Sequence, residues 1–208
     1  MKRQCACVTA ILFLCLMFVP LAAHSLTLTY IDKGISAVRA GAWAGLYHME
    51  LDGSSVAGMC DDYYTHIAPP YSWEVDLWTY NDIAGGKGKF APAGLYGMAG
   101  YLFSQTFNQN DPNVLANLNL AIWKIMSPGV VIASQYTGAL NYYNDAQNHG
   151  NFMWGDVMCV LTPTPNANYA QEFLVRLNPV PEPATMLLLG AGLVGLVGVG
   201  RTKWFKRG

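Results

Sequence analysis

The stretch DPNVLANLNLAIWKIMSPG, residues 111–129, decides how the middle of this chain folds. Asp111 offers a side-chain acceptor to the free N–H groups of a first helical turn, and Pro112 follows where a missing N–H costs nothing. Apolar residues then recur at Val114, Leu115, Leu118, Ala121, Ile122, Ile125 and Met126. Steps of three and four place them on one face of a helix. Ser127-Pro128-Gly129 ends it. Working outward, residues 95–107 read as a weaker helix. A third runs over 134–148, from a Ser134 cap to just before Gly150. Strands flank this helical block. Residues 43–51 form one, closed by the turn pair Asp52-Gly53. Residues 73–80 alternate Trp73, Val75 and Leu77 with Glu74 and Asp76, the pattern of a half-buried strand. AGGKGKFAPAG, residues 84–94, is a Gly-rich flexible loop. Residues 152–165 and 170–180 read as closing strands. The order strands, helices, strands, without repeats, predicts an α+β fold. It is a small β-rich domain, sandwich or barrel-like, with an inserted bundle of about three helices.

Composition narrows the function. Charged residues make up 12% of the 208, about half the usual share in a soluble protein. Between residues 26 and 179 there are 12 acidic and 6 basic side chains, a net of −6, although the whole chain carries only −1. A net-acidic body without a Lys/Arg cluster argues against nucleic-acid binding.

Both ends carry addresses. MKRQCACVTAILFLCLMFVPLAAHS, residues 1–25, has a basic start at Lys2 and Arg3 and a short apolar core, with small residues at Ala23 and Ser25. This is the pattern of a secretory signal peptide cut by signal peptidase after Ser25. Cys5, Cys7 and Cys15 leave with it. Cys60 and Cys159 remain in an oxidising compartment, where one disulfide between them is open to the exported chain. At the other end, residues 184–200 carry no charge and are rich in Leu, Val and Gly. These 17 residues sit at the short end for a helix spanning a hydrocarbon core of about 30 Å. Arg201, Lys203, Lys206 and Arg207 follow, a cluster that stays cytoplasmic and leaves the body, residues 26–179, outside the inner membrane. Pro181 and Pro183 hold the preceding chain extended around Glu182, as a strip a processing enzyme can grip.

The triplet Pro181-Glu182-Pro183, the apolar helix and the basic end, together residues 180–208, resemble the PEP-CTERM sorting signal of Gram-negative bacteria. The resemblance implies recognition by an exosortase, cleavage near the triplet, and release to or attachment on the cell surface. Such proteins accompany exopolysaccharide production and biofilm formation. The signal is an address and leaves the activity of its cargo open.

Two stretches of the body resemble a second family. MCDDYYTHI, residues 59–67, follows a strand, and NLNLAIWKI, residues 117–125, lies in the central helix. Their order and distance resemble the thioester domains of bacterial surface adhesins. There a Cys sulfur and a Gln side-chain carbonyl form an internal thioester that captures an amine on a partner. The resemblance puts Cys60 in the thiol position and Asn119 in place of the Gln, followed by Leu120, Ala121, Ile122 and Trp123. Asn keeps the carboxamide but reaches one carbon–carbon bond less far. One reading is a reactive adhesin using Cys60 and Asn119. The other is a related fold in which Asn119 hydrogen-bonds at the edge of the apolar stripe.

Other chemistry was weighed on the same residues. Cys60 with His66 or His149 would make a Cys-dependent hydrolase pair, but nothing local builds an oxyanion hole. Asp61, Asp62 and His66 would be metal ligands; adjacent carboxylates after a strand more often cap or face solvent. Tyr63, Tyr64, Tyr71, Trp73, Trp78 and Tyr80 would stack on sugar rings, or pack as core and rim. The expectation is a non-enzymatic surface or matrix protein without metal or cofactor. Its partners would be the processing enzymes and an exopolysaccharide or surface protein.

Overall fold

The computed structural model describes residues 25–67, 71–165 and 170–177. Six strands close into an antiparallel barrel: β1 (Leu26–Arg39), β2 (Ala42–Leu51), β3 (Ser54–Cys60), β4 (Tyr71–Trp78), β5 (Met158–Pro163) and β6 (Phe173–Arg176). The order around it is β1-β2-β3-β6-β5-β4. Closure rests on β1, which pairs with β4 through Leu26 to Tyr30 and with β2 along most of its length. The barrel therefore settles the choice between sandwich and barrel. β1 escaped the sequence reading because a register shift between Tyr30 and Ile35 breaks its two-residue period. β2 and β3 join through Asp52-Gly53, both at positive φ, the mirror-image turn that matches strand twist.

Four helices, not three, fill the connection between β4 and β5: α1 (Tyr80–Ala84), α2 (Ala93–Ser104), α3 (Pro112–Met126) and α4 (Thr137–Ala146). The additional one, α1, is a single turn held by a capping box between Thr79 and Asp82. α3 begins and ends where the sequence placed it, with Asp111 accepting from the Asn113 N–H at 2.8 Å. α4 starts at Tyr136 without a side-chain cap, so Ser134 does not begin it.

β5 is buried on both faces, as are residues 58–60 at the end of β3 and residues 173–175 of β6. Cys60, Cys159, Leu161, Phe173 and Val175 point into the barrel with Leu28, Met49 and Trp73. Their neighbours Met59, Met158, Val160 and Leu174 point outward onto Phe103, Leu118 and Ile122 of the helices. Alternate residues along one strand thus serve two cores. α3 is likewise buried on two sides. The stripe of Leu115, Leu118 and Ile122 packs on α2, while Ala116, Leu120 and Trp123 pack near Ala44 of β2. Among the described residues no helix is long and apolar enough to cross a membrane. The signal peptide, the triplet, the apolar segment 184–200 and the basic end lie outside the described residues.

Gly58 marks close packing between strands. A Cβ there would lie 2.6 Å from Met49 Cε, 2.7 Å from Val175 Cγ1 and 2.8 Å from the Leu174 carbonyl oxygen. Gly58→Ala should therefore destabilise the protein by about 1–3 kcal/mol, the usual cost of overpacking. Denaturant unfolding checks this, and an unchanged midpoint would contradict the packing described.

Candidate functional site at the end of strand β3

Cys60 is the last residue of β3 and is fully buried. The chain wraps its sulfur: Sγ donates to the Asp62 carbonyl at 3.1 Å, and the Asp62 N–H points back at Sγ from 3.3 Å. Burial pushes the thiol well above its ordinary value, and the charges of Asp61 and Asp62 add to this. The Asp62 N–H and the nearby Trp123 indole act in the opposite direction, although the indole N–H does not reach hydrogen-bond geometry. The result is a neutral thiol, and the thiolate is the nucleophilic form.

Asn119 lies on the barrel side of α3, also fully buried. Its Nδ2 donates to the Cys60 backbone carbonyl at 2.7 Å, and its Oδ1 accepts from the Gly45 N–H at 2.9 Å. Gly45 has φ +149°, and a Cβ there would lie 2.4 Å from the Ile35 carbonyl oxygen. The strand comes this close only because residue 45 has no side chain. The structure therefore brings Cys60 and Asn119 together through the Cys60 carbonyl, with both ends of the carboxamide engaged on backbone.

Cys159 stands on β5, and burial pushes its thiol up to about 12. Cys60 and Cys159 are both free. They flank β6 on opposite sides, Cys60 opposite Phe173 and Cys159 opposite Val175. Two strand spacings amount to about 9–10 Å, beyond the reach of a disulfide. The bridge left open by the sequence is not made here.

Asp61 and Asp62 do not face solvent. Both are buried, and with Lys89, Tyr96, Thr162 and Glu172 they form a polar cluster that sequence reasoning missed. Glu172 accepts from the Lys89 N–H at 2.9 Å, from the Tyr96 hydroxyl and from the Thr162 hydroxyl. Asp62 Oδ2 contacts Lys89 Nζ, and its Oδ1 accepts from the N–H groups of Tyr64 and Thr65 at 3.2 and 3.3 Å. The Gly-rich loop read as flexible is pinned there, since the Phe90 N–H also donates to the Tyr96 hydroxyl at 2.9 Å. The available signal was a charged residue at each end of apolar runs, Asp61 after Met59-Cys60 and Glu172 before Phe173-Leu174-Val175.

Asp61 meets no N–H or O–H donor within hydrogen-bond reach. The neighbouring Glu172 carboxyl acts on it, and two like-charged groups this deeply buried favour a proton on one of them. Burial first, then the Glu172 charge, raise Asp61 well above its ordinary 3.8. Burial also raises Glu172, against the hydrogen bonds from Thr162 and Tyr96.

The remaining candidates separate. His149 stacks on Tyr101 at 3.7 Å and bonds to the Asp145 carbonyl. Neither it nor His66 hydrogen-bonds to Cys60. Among the described residues no group of three His, Cys, Asp or Glu is placed to hold a metal ion. Trp73 and Tyr71 pack at the barrel interior, and Tyr80 packs on Trp154. Trp78 takes Lys87 over its ring. Tyr63 instead lies edge-on to Trp123 at 5.2 Å and helps line a cavity of about 200 Å³ with Tyr30, Trp43, Tyr47, His66 and Gln171. Tyr64 is exposed beside it.

A titration follows from Asp61. The folded protein holds a proton there that the unfolded chain releases above 3.8. Its contribution to stability is complete below that value and is lost as pH rises toward the raised one. Asp61→Asn removes the titrating group, so its stability should fall less steeply than wild type as pH rises through this window. Unfolding midpoints measured across pH check it; parallel curves would contradict a proton on Asp61.

The chain matches the PEP-CTERM protein-sorting motif over residues 179–201. No curated protein sequence matches it. Its structure is similar to the N-terminal thioester domain of a surface protein from Clostridium perfringens, at 9% identity and a TM-score of 0.47, covering 71% of this chain and 97% of that one. It is also similar to the N-terminal thioester domain of fibronectin-binding protein SfbI from Streptococcus pyogenes, at 11% identity and a TM-score of 0.45, covering 77% and 97%. The chain carries a PEP-CTERM sorting motif and has a structure similar, at low identity, to the thioester domains of bacterial surface proteins.

Proposed function

We propose that this is an exported, non-enzymatic surface protein whose body acts by non-covalent adhesion or as a structural element. It is anchored in the inner membrane with the body outside, then sorted by exosortase to the surface or the extracellular matrix. The sorting motif at residues 179–201 supports the address. The observation that carries the activity is the Asn119 carboxamide, held by the Gly45 N–H and the Cys60 carbonyl beside a neutral Cys60 thiol. A thioester needs that carboxamide turned onto the sulfur, at the loss of two buried hydrogen bonds. The cavity lined by Trp43, Tyr47 and Tyr63 offers aromatic faces to a partner, with a sugar polymer or surface protein as the chemistry that suits them. The second reading, a reactive adhesin, rests on the adjacency of Cys60 and Asn119. A Cys-dependent hydrolase has no contact between Cys60 and a histidine in its favour.

Two outcomes follow. Replacing Pro181, Glu182 and Pro183 by Ala should leave full-length protein in the inner membrane, read by fractionation; release equal to wild type would refute the sorting role. Methylamine should not label the purified protein, read by peptide mass. Labelling at Asn119 would overturn the non-covalent reading in favour of the reactive adhesin.

A further inference from the structure

Lys89 and Asp62 form a contact unlike an ordinary surface ion pair. Their side chains are 9% and 4% exposed. Bringing two opposite charges this far from water is costly, and the pairing recovers it only with good geometry and further hydrogen bonds. Lys89 Nζ has Asp62 Oδ2 and, at 3.3 Å, the Thr65 hydroxyl. Asp62 Oδ1, on the other side of the same carboxyl carbon, accepts two backbone N–H groups, from Tyr64 and Thr65. Glu172 fixes the lysine by accepting its backbone N–H. Asp61 is fully buried, with neither oxygen met by an N–H or O–H donor.

A largely buried amine against a carboxyl group, two N–H groups aimed at its other oxygen, and a buried acid next in the chain are the parts that amide formation needs. We infer that Lys89 and Asp62 condense into an intramolecular isopeptide bond.

The balance is simple. The Lys89 ammonium gives a proton to the Asp62 carboxylate, which leaves a free amine against a carboxylic acid. The amine nitrogen attacks Asp62 Cγ, forming the C–N bond and placing negative charge on Oδ1. The N–H groups of Tyr64 and Thr65 stabilise that charge as an oxyanion hole does. The nitrogen loses a proton and Oδ2 gains one. The Cγ–Oδ2 bond breaks, and Oδ2 leaves as water. An ammonium and a carboxylate become one amide and one water, with no oxidant, reductant or cofactor. Burial and Glu172 raise Asp61, which favours a protonated acid next in the chain to Asp62 where water would leave it ionised. The bond would replace a buried ion pair with a neutral amide and tie the exit of β3 to the loop before α2.

The test is mass spectrometry of the exported protein with both termini mapped. Wild type should be lighter than its sequence by one water, and digestion should yield a branched peptide joining Asp62 to Lys89. Lys89→Met and Asp62→Ala should each restore the full mass. Asp61→Asn, which leaves both reacting side chains in place, should slow or abolish the loss in a time course after synthesis. Cys60→Ser should leave it unchanged, which separates it from a thioester, whose formation expels ammonia. A succinimide at Asp62 also loses water but would survive Lys89→Met. Full sequence mass in wild type, or a Lys89 amine open to acylation after denaturation, overturns the inference. Either wild-type readout decides it even where a variant fails to fold.

Discussion

The carboxamide of Asn119 sits where three elements meet. It is the buried polar side chain of α3, and it reaches both β2 and β3. A buried amide without partners costs about 1–3 kcal/mol for each unsatisfied group, so the helix cannot rotate about its axis without losing both bonds at once. Dispersion and apolar burial hold α3 in place but are tolerant of small rotations; these two directional bonds are not. With α3 so oriented, Trp123 stands beside Cys60 and Tyr63, and Ile122 faces the other helices. Gly45 is part of the same constraint, because any side chain there would meet the backbone of β1.

The second constraint is electrostatic. The buried end of β3 and the start of β6 are apolar, yet each is flanked by carboxylates, Asp61 and Asp62 after Cys60 and Glu172 before Phe173. The structure settles these charges in two ways. Asp62 is matched to a cation, Lys89. Burial and the neighbouring Glu172 raise Asp61 and so favour its neutral form, while Glu172 accepts from hydroxyl and N–H donors. The hydrogen bonds from Lys89 and Phe90 into this cluster order the Gly-rich loop.

This economy suits a chain with few charges. No disulfide links the two thiols that remain in the described body, so rigidity there comes from barrel closure, from strands that serve two cores, and from buried polar ties. The same burial that steadies Cys60 lowers its reactivity, so stability and nucleophilicity pull in opposite directions at this position.

Much was legible in local sequence. Asp111-Pro112 and Ser127-Pro128 bound α3 because capping and proline chemistry act within one turn. Asp52-Gly53 turned β2 into β3 because two adjacent residues suffice for a hairpin. The alternation from Trp73 to Leu77 exposed β4 for the same reason. The address at residues 179–201 is likewise linear, read as a string by whatever processes it. The bulged β1, the one-turn α1 and the uncapped start of α4 carried no such local mark.

What only the tertiary structure decided is what lies far apart in the chain. Asn119 and Cys60 are 59 residues apart, and Lys89 and Asp62 are 27 apart. Asp61 looked like a solvated carboxylate because nothing near it in sequence shows that Glu172 will be folded against it. The sequence by itself determined the limits of α3, the turn between β2 and β3 and the sorting motif, since each depends on neighbouring residues. Barrel closure, the engagement of Asn119 and the burial of the charge cluster depend on which distant surfaces meet, and that is set by packing the whole chain at once.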